Sequence, residues 1–188
     1  MKKVFIDAGA NKGQSIDNFI KHWPDWQEYD IHSFEANPRL VQHFKRFDNM
    51  PNIQFYNKAV WLTDDTVEFY LDGTSQQYGS SIIGTKISGN LDKIPTIVPS
   101  VDIANFIQSK YSKDDYIILK LDIEGGEYEL IEYMVDTNTF EYIDEFYLEF
   151  HTHKVGKTKD DNNQLLNKMN IFSNMKVNYE SYNGLNFL

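Results

Sequence analysis

Four short segments of the sequence carry glycines, carboxylates or a histidine in patterns that could bind a ligand. The first, residues 7–15, reads Asp-Ala-Gly-Ala-Asn-Lys-Gly-Gln-Ser. Gly9 allows a sharp turn and a close backbone approach to a ligand, and Gly13 allows the next helix to pack against the preceding strand. The spacing is neither GxGxxG nor a P-loop, which disfavours a diphosphate cradle. Taken alone, a tight turn without a ligand explains the segment equally well.

An acid follows about 20 residues later, at the predicted end of the next strand. Glu35, in residues 33–38, is placed where a carboxylate can accept hydrogen bonds from both ribose hydroxyls of a nucleoside. The alternative is a solvated carboxylate that stabilises the start of a helix near Pro38. Glu35 therefore favours a nucleoside ligand, and the second role stays open.

The third segment, residues 120–127, is a dense acidic cluster. It reads Lys-Leu-Asp-Ile-Glu-Gly-Gly-Glu, and its first two residues are the end of an almost wholly apolar run. Three carboxylates at the end of a buried strand lie where a ligand cleft is expected. Glu124 and Glu127 are also explained as ordinary acids at a helix start. Asp122 is harder to explain in that way.

The fourth segment, residues 148–151, combines a carboxylate with an imidazole. Because side chains alternate along a strand, Glu149 and His151 are expected on one side and Phe150 on the other. A histidine at a strand end is usually a surface or core residue. One that neighbours Asp122 across adjacent strands is a candidate for catalysis.

Alternating strands and helices separate these segments and must position them. Strands are predicted at residues 3–7, 31–35, 52–56, 66–71, 98–101, 116–121, 143–150 and 177–182, and helices at 13–22, 39–47, 102–111, 127–135 and 162–175. Asp102 is a predicted helix cap, and the apolar run 116–121 is typical of a strand at the sheet centre. We predict one α/β domain over residues 1–188, with a doubly wound, mainly parallel, Rossmann-like sheet flanked by helices. Ligands of such sheets bind beyond the carboxyl ends of the strands.

The composition restricts the class of function. A net charge of -10 and a pI near 4.9 oppose binding to a phosphate backbone, so nucleic acid is not an expected partner. No apolar run approaches the roughly 20 residues that span a bilayer, and Asp7 interrupts the apolar start too early for a signal peptide. The absence of cysteine excludes disulfides and thiolate metal sites, and it agrees with the cytoplasmic location that we expect.

Together and in this order, the four segments resemble those of the FkbM-type methyltransferases, over residues 4–151. The resemblance implies a class I, Rossmann-like methyltransferase fold, S-adenosylmethionine as cofactor, and O-methylation, commonly of sugars or polyketide-type products. The cofactor-binding residues that it implies are Asp7, Gly9, Ala10, Asn11, Gly13, Gln14, Ser15, Glu35, Ala36, Asn57, Ala59 and Asp122. The catalytic residues that it implies, around the acceptor, are Asp122, Glu124, Glu149 and His151.

Several alternatives stay open at this point. In a methyl transfer, His151 or a carboxylate is the expected base for the acceptor hydroxyl. A divalent cation on Asp122 and neighbouring carboxylates is a variant mechanism, but no metal ligand is assigned. A non-catalytic nucleoside-binding module is a second class of function. An NAD-dependent oxidoreductase is a third, against which the missing GxGxxG motif counts.

The acceptor is expected to be a small molecule or an oligosaccharide. The polar loop 72–90 and residues 152–163 are the expected walls of its pocket, and Tyr78 with the loop serines favours a polar glycan. Family members usually carry helical sequence before the first strand, whereas here Val4 begins that strand. We therefore expect a domain cut from, or joined to, a longer protein such as a glycan-building enzyme.

Overall fold

The computed structural model describes residues 1–74, 77–87, 90–172 and 175–180, in which strands and helices alternate. The strands are β1 (Lys3–Ala8), β2 (Tyr29–Phe34), β3 (Ile53–Tyr56), β4 (Ala59–Trp61), β5 (Thr66–Phe69), β6 (Thr96–Asp102), β7 (Tyr116–Leu121), β8 (Glu145–Glu149) and β9 (Lys176–Glu180). The α-helices are α1 (Gln14–His22), α2 (Ile103–Lys110), α3 (Glu127–Asp136) and α4 (Lys159–Met169). Stretches of 3-10 helix lie at Trp26–Glu28, Pro38–Phe47, Thr139–Tyr142 and Thr152–Lys154.

Six strands form a parallel sheet in the order β3-β2-β1-β7-β8-β9. The chain builds outward from β1 to β3 and later returns to place β7 on the other side of β1, so the strand order reverses between β1 and β7. Open α/β sheets bind ligands at such a reversal. The register pairs Asp7 with Lys120 and Ala8 with Leu121, which brings the glycine segment beside the acidic segment. The central position predicted for residues 116–121 is confirmed.

Helices cover both faces of this sheet, which confirms the doubly wound arrangement. On one face Phe5 of β1 stacks on Phe19 of α1, with ring centroids 4.4 Å apart. On the other face Ile6 of β1 belongs to a larger core that also includes side chains of α2, α3 and α4. Burial of one such side chain stabilises the fold by about 1.5–3 kcal/mol. Because side chains alternate along β1, this strand holds the helices on both faces of the sheet.

A small second sheet has the order β4-β6-β5, in which β6 is parallel to β4 and antiparallel to β5. The predicted alternation in residues 66–71 corresponds to β5, whose Phe69 packs with Ala59 of β4. The sequence does not predict β4, because a three-residue apolar run has no measurable period.

Helix boundaries follow local capping signals. Asp102 caps α2 as predicted, since its side chain accepts a hydrogen bond from the Asn105 N–H at 3.0 Å. The helix predicted at residues 162–175 begins and ends earlier, as α4. It begins earlier because Thr158 and Asp161 form a capping box ahead of the apolar residues that suggested the helix.

Parts of three predicted elements fall outside the described residues. These are residues 181 and 182 of the last predicted strand, residues 173 and 174 of the helix predicted at 162–175, and residues 75, 76, 88 and 89 of the polar loop 72–90. Within the ranges that the structure describes, each helix is too short or too polar to cross a lipid bilayer.

Candidate functional site

A cavity of about 290 Å³ opens beyond the carboxyl ends of β1, β2, β7 and β8. Its volume is at the lower end of the range for small-molecule sites, roughly 300–1,000 Å³. Most of the predicted site residues line it. They are Gly9, Ala10, Asn11, Gln14, Ser15, Glu35, Ala36, Ala59, Asp122, Glu124 and Glu149. The other four, Asp7, Gly13, Asn57 and His151, are not among the described residues that line the cavity.

Asp7 lies below the glycine segment and is fully buried. One of its oxygens accepts a hydrogen bond from the Ser15 hydroxyl, and the other is 3.2 Å from Lys120 Nζ. That ammonium also donates to the Gly9 carbonyl at 3.0 Å and is 3.5 Å from the Asp122 carboxylate. Burial lowers the pKa of Lys120, but the charges of Asp7 and Asp122 outweigh it and raise the pKa above its ordinary value. Lys120 is therefore a buried cation that joins β1 to β7.

The two glycines of the first segment both have left-handed backbones, with φ of 85° at Gly9 and 82° at Gly13. Gly9 packs against the backbone of Asp122. The missing side chain therefore allows a close contact with the end of β7, in addition to the contact with the cavity. Gly13 faces the other way, towards Arg46 and Phe47. Its predicted contact with a cofactor stays a prediction, and its observed role is to let α1 begin.

Glu35 is buried at one end of the cavity, with 7% of its surface exposed. Its carboxylate accepts hydrogen bonds from the N–H groups of Asn11 at 2.8 Å and Asn37 at 2.7 Å. Burial raises the pKa of Glu35 to about 7, although these two bonds act against the shift. Asn57 supports the same strand end, because its amide donates to the Glu35 carbonyl at 2.7 Å. Glu35 is thus not the solvated carboxylate of the alternative interpretation.

His151 lies behind the cavity wall, among four carboxylates. Its Nδ1 is 2.9 Å from Glu127, and its Nε2 is 3.3 Å from Glu124, 3.7 Å from Asp122 and 3.8 Å from Glu149. Burial lowers the pKa of His151, but hydrogen bonds to Glu124 and Glu127 outweigh it and raise the pKa to about 10. The ring is therefore an imidazolium at neutral pH. Glu149 and His151 lie close together, as strand alternation predicts, and Asp122 approaches His151 from the adjacent strand, as expected.

Glu127 belongs to the acidic cluster that the sequence places at the cleft, but the sequence assigned it no catalytic or binding role. It is fully buried, and its two oxygens accept the N–H groups of Ile123 at 3.0 Å and Gly125 at 2.8 Å in addition to the His151 contact. It is therefore not a solvated acid at a helix start. A glutamate in the first turn of a helix can reach back to preceding N–H groups, and that spacing is the signal that could have identified it.

Glu124 links the acidic segment, residues 120–127, to two loops. Its Oε2 is 2.5 Å from Lys86 Nζ and 2.8 Å from Lys154 Nζ, and its carbonyl accepts the Ser81 hydroxyl at 2.7 Å. Although burial raises the pKa of Glu124, its contacts with His151 and Lys86 hold the pKa well below its ordinary value. Its backbone is left-handed, with φ of 60°. Glu124 is a fully paired anion at the edge of the cavity.

Residues 77–82 form the outer wall of the cavity. The Gln77 carbonyl accepts the Asn11 amide at 3.3 Å, and the Gln77 side-chain oxygen accepts the Asn37 amide at 3.1 Å. Tyr78 is 51% exposed and lines the cavity mouth, where the Lys12 ammonium lies 5.0 Å from its ring centroid. In the part of the chain that is described, residues 152–163 do not line the cavity, contrary to expectation.

Asp122, Glu127 and His151 each offer one atom within 4.8 Å of the others, a spacing that could hold a metal ion. The donor set does not fit one well. Both Glu127 oxygens and Nδ1 of His151 already take part in hydrogen bonds, and Lys120 lies beside Asp122. The neighbouring lysines and the imidazolium already supply positive charge, so we assign no metal ligand here.

Comparison with known proteins gives one result. A family model described as the methyltransferase FkbM domain matches residues 7–179. No curated protein and no solved structure matches the chain. The matched range contains the glycine segment, Glu35 and both acidic strand ends.

Proposed function

The chain belongs to the FkbM methyltransferase family, and from that premise we propose that it transfers a methyl group from S-adenosylmethionine to a hydroxyl oxygen of a sugar-like acceptor. The observation that carries the proposal is Glu35, a buried carboxylate at the end of a cavity that lies at the strand-order reversal. Membership of the family gives methyl transfer. The cofactor, the oxygen and the acceptor class are our inferences.

The end of the cavity near Glu35 suits a nucleoside. Each Glu35 oxygen accepts one backbone N–H and keeps a second lone pair, so the ribose hydroxyls can bind without breaking these bonds. Ala36, Val60 and Phe69 add apolar surface to the same cavity, on which an adenine could pack. A nucleoside cofactor thus satisfies both the polar and the apolar parts of this end.

The end of the cavity near Asp122 suits a sulfonium. Asp122 lines it, and a carboxylate stabilises a neighbouring positive charge. Methyl transfer is an in-line displacement, in which the acceptor oxygen bonds to the methyl carbon while the carbon–sulfur bond breaks. The main task of the protein is then to hold oxygen, carbon and sulfur in line, which can supply several kcal/mol of the barrier reduction, up to about 7–11.

The acceptor assignment rests on the polarity of the outer wall. Gln77 and Ser80 offer hydrogen-bonding groups, and the half-exposed ring of Tyr78 offers a flat face for a sugar. The charge of -10 disfavours a nucleic acid acceptor. We extend the proposal to a cytoplasmic enzyme that acts on a small molecule or oligosaccharide.

Two measurements test the proposal. Calorimetric titration should give saturable binding of S-adenosylmethionine and none of NAD. Glu35→Ala should abolish the binding, and Glu132→Gln, on the exposed face of α3, should preserve it. Methyl transfer from labelled S-adenosylmethionine should then be measured on a panel of mono- and oligosaccharides. Binding without transfer to any acceptor would indicate a non-catalytic module, and binding of NAD alone an oxidoreductase.

A further inference from the structure

Among the carboxylates that line the cavity in the described part of the chain, Glu149 is the one that has neither a hydrogen bond nor a lysine partner. We infer that Glu149 is the general base that removes the acceptor hydroxyl proton, and that His151 is a fixed cation that positions the carboxylates around it. This inference rests on the proposed function. It names the catalytic base of that same site and reassigns the role that the sequence suggested for His151.

The Glu149 carboxylate lines the cavity, and 21% of its side chain is exposed. Across the described ranges of the chain, no hydrogen bond to this carboxylate is formed, and its ion-pair contact is the 3.8 Å approach to Nε2 of His151. Its lone pairs are thus available to a hydroxyl in the cavity. A general base must lie within hydrogen-bond reach of the proton that it removes, and Glu149 meets that condition for an acceptor bound beside it.

The other acids of the site are occupied. Asp122 lies 3.5 Å from Lys120, and Glu124 holds both Lys86 and Lys154. A carboxylate paired with an ammonium is a weak base, since the cation favours its ionised form.

The carboxylates of two further acids accept hydrogen bonds from backbone N–H groups. Glu127 accepts the N–H groups of Ile123 and Gly125, and Glu35 accepts two N–H groups at the opposite end of the cavity. Neither carboxylate is free beside the acceptor position.

His151 is unsuited to act as the base. It is 3% exposed and is not among the described residues that line the cavity. Both ring nitrogens face carboxylates, Nδ1 towards Glu127 and Nε2 towards Glu124, so each nitrogen acts as a donor. An imidazolium has no lone pair with which to accept a proton. Its charge instead holds Glu127, Glu124 and Glu149 in place around one point.

The protonation behaviour of Glu149 agrees with this role. Burial raises its pKa, and the neighbouring charges of Asp122 and Glu124 raise it further, while His151 and Lys120 act in the opposite direction. A raised pKa makes a carboxylate a stronger base, closer to the operating pH. As the new oxygen–carbon bond forms, the hydroxyl proton passes to Glu149 and the electrons of the broken carbon–sulfur bond stay on sulfur. The carboxylic acid then releases the proton to solvent through the cavity mouth.

The charge state of His151 can be measured without an acceptor. In ¹⁵N-labelled protein, the ring nitrogens of His151 should give an imidazolium spectrum from about pH 6 to about pH 9. An ordinary histidine, with a pKa of about 6.5, would be neutral over most of this range. The signal is assigned by its loss in His151→Gln. A neutral His151 ring at about pH 7.5 would overturn the inference.

Kinetics with a saccharide acceptor from the labelled screen test the role of Glu149 directly. Glu149→Gln should lower kcat by about 10²–10⁴-fold while the Kd of S-adenosylmethionine stays within about 3-fold. Glu145→Gln, the same change at the other end of β8 and away from the cavity, should keep kcat near the wild-type value. Formate should partly restore the kcat of Glu149→Ala, a rescue that a merely structural role does not give.

Near-normal kcat in Glu149→Gln, or no formate rescue, would contradict the assignment of the base. Wild-type protein that neither binds S-adenosylmethionine nor methylates any saccharide would instead contradict the proposed function, and this inference would fall with it. The two failures are distinguishable, because the first leaves cofactor binding and wild-type turnover intact.

Discussion

The backbone of Gly9 lies directly against the backbone of Asp122, so that a Cβ atom on Gly9 would be 1.8 Å from the Asp122 carbonyl oxygen. The contact joins the carboxyl ends of β1 and β7, where the Asp122 N–H also donates to the Ala8 carbonyl at 3.0 Å. The glycine segment and the acidic segment are therefore packed against each other, and a side chain at position 9 would force them apart.

We predict that Gly9→Ala is strongly destabilising. A left-handed alanine costs about 1–2 kcal/mol, and overpacking against fixed backbone adds about 1–3 kcal/mol, so the free energy of unfolding should fall by roughly 3 kcal/mol. Gly156 is the matched control, because its φ is 69° and a Cβ there would meet nothing within 4 Å. Gly156→Ala should cost only the left-handed penalty. Urea denaturation compares the two, and equal losses would contradict the importance of the Gly9 contact.

We predict that nucleoside affinity rises with pH through the ionisation of Glu35. Its pKa is raised by burial to about 7, and only the ionised form accepts both ribose hydroxyls fully. The affinity for 5′-methylthioadenosine, which lacks a titrating amine, should therefore increase from about pH 6 to about pH 8. Glu35→Gln should bind about tenfold more weakly, with little pH dependence over that window. An unchanged slope in this variant would show that another group titrates.

The same shift predicts an effect on stability of opposite sign. Because the pKa of Glu35 is higher in the folded protein than the ordinary value of 4.5, folding favours the protonated acid. The contribution of Glu35 to stability is complete below about pH 4.5 and is lost as the pH rises through about 7. The difference in unfolding free energy between wild type and Glu35→Gln, measured in urea at several pH values, should follow this course.

His32 should make the fold sensitive to acid. It is buried and its ring nitrogens contact the hydroxyls of Tyr56 at 3.1 Å and Tyr111 at 2.5 Å, and burial lowers its pKa to about 4. Between about pH 6.5 and about pH 4 the unfolded chain binds a proton that the folded chain does not, so stability falls by up to about 1.4 kcal/mol per pH unit. His32→Gln should remove this component of the pH dependence. His22→Gln, on an exposed histidine, should leave it unchanged.

Lys86 should anchor the outer wall of the cavity. Its side chain is 1% exposed, pairs with Glu124 at 2.5 Å and donates to the Gly79 carbonyl at 2.7 Å. Since Glu124 keeps Lys154 as a partner, Lys86→Met should cost about 1–3 kcal/mol, less than the loss of a wholly buried pair.

The matched control for this prediction is Lys113→Met. Lys113 forms a surface ion pair with Glu141, and its loss should cost less than about 1 kcal/mol. Denaturation and limited proteolysis within residues 77–87 measure both variants. A Lys86→Met protein that is no less stable and no more cleavable than the control would remove the anchoring role.

The sheet and the strand ends were predictable from the sequence because they depend on local periodicity. Residues 116–121 are apolar at nearly every position, and the same residues form the central strand β7. The alternation in residues 148–151 likewise predicted that Glu149 and His151 share one side. What periodicity cannot give is an element of three residues such as β4, which has no repeat to detect.

The charge state of the site was not predictable for a different reason. Whether His151 accepts or donates a proton depends on Glu127, which reaches it from α3 after a left-handed turn at Glu124. Lys86 arrives from a loop distant in sequence. Such contacts depend on tertiary geometry, and the spacing of residue types along the chain does not encode them.

Residues 77–87 contact both ends of the cavity. The Gln77 carbonyl accepts a hydrogen bond from Asn11 at one end, and Lys86 donates to Glu124 at the other. If this stretch moves when one ligand binds, the energetic linkage is reciprocal: the factor by which the cofactor changes acceptor affinity equals the factor by which the acceptor changes cofactor affinity. The order in which the two compounds are taken up, and the retention of the spent nucleoside, then depend on one short stretch of backbone.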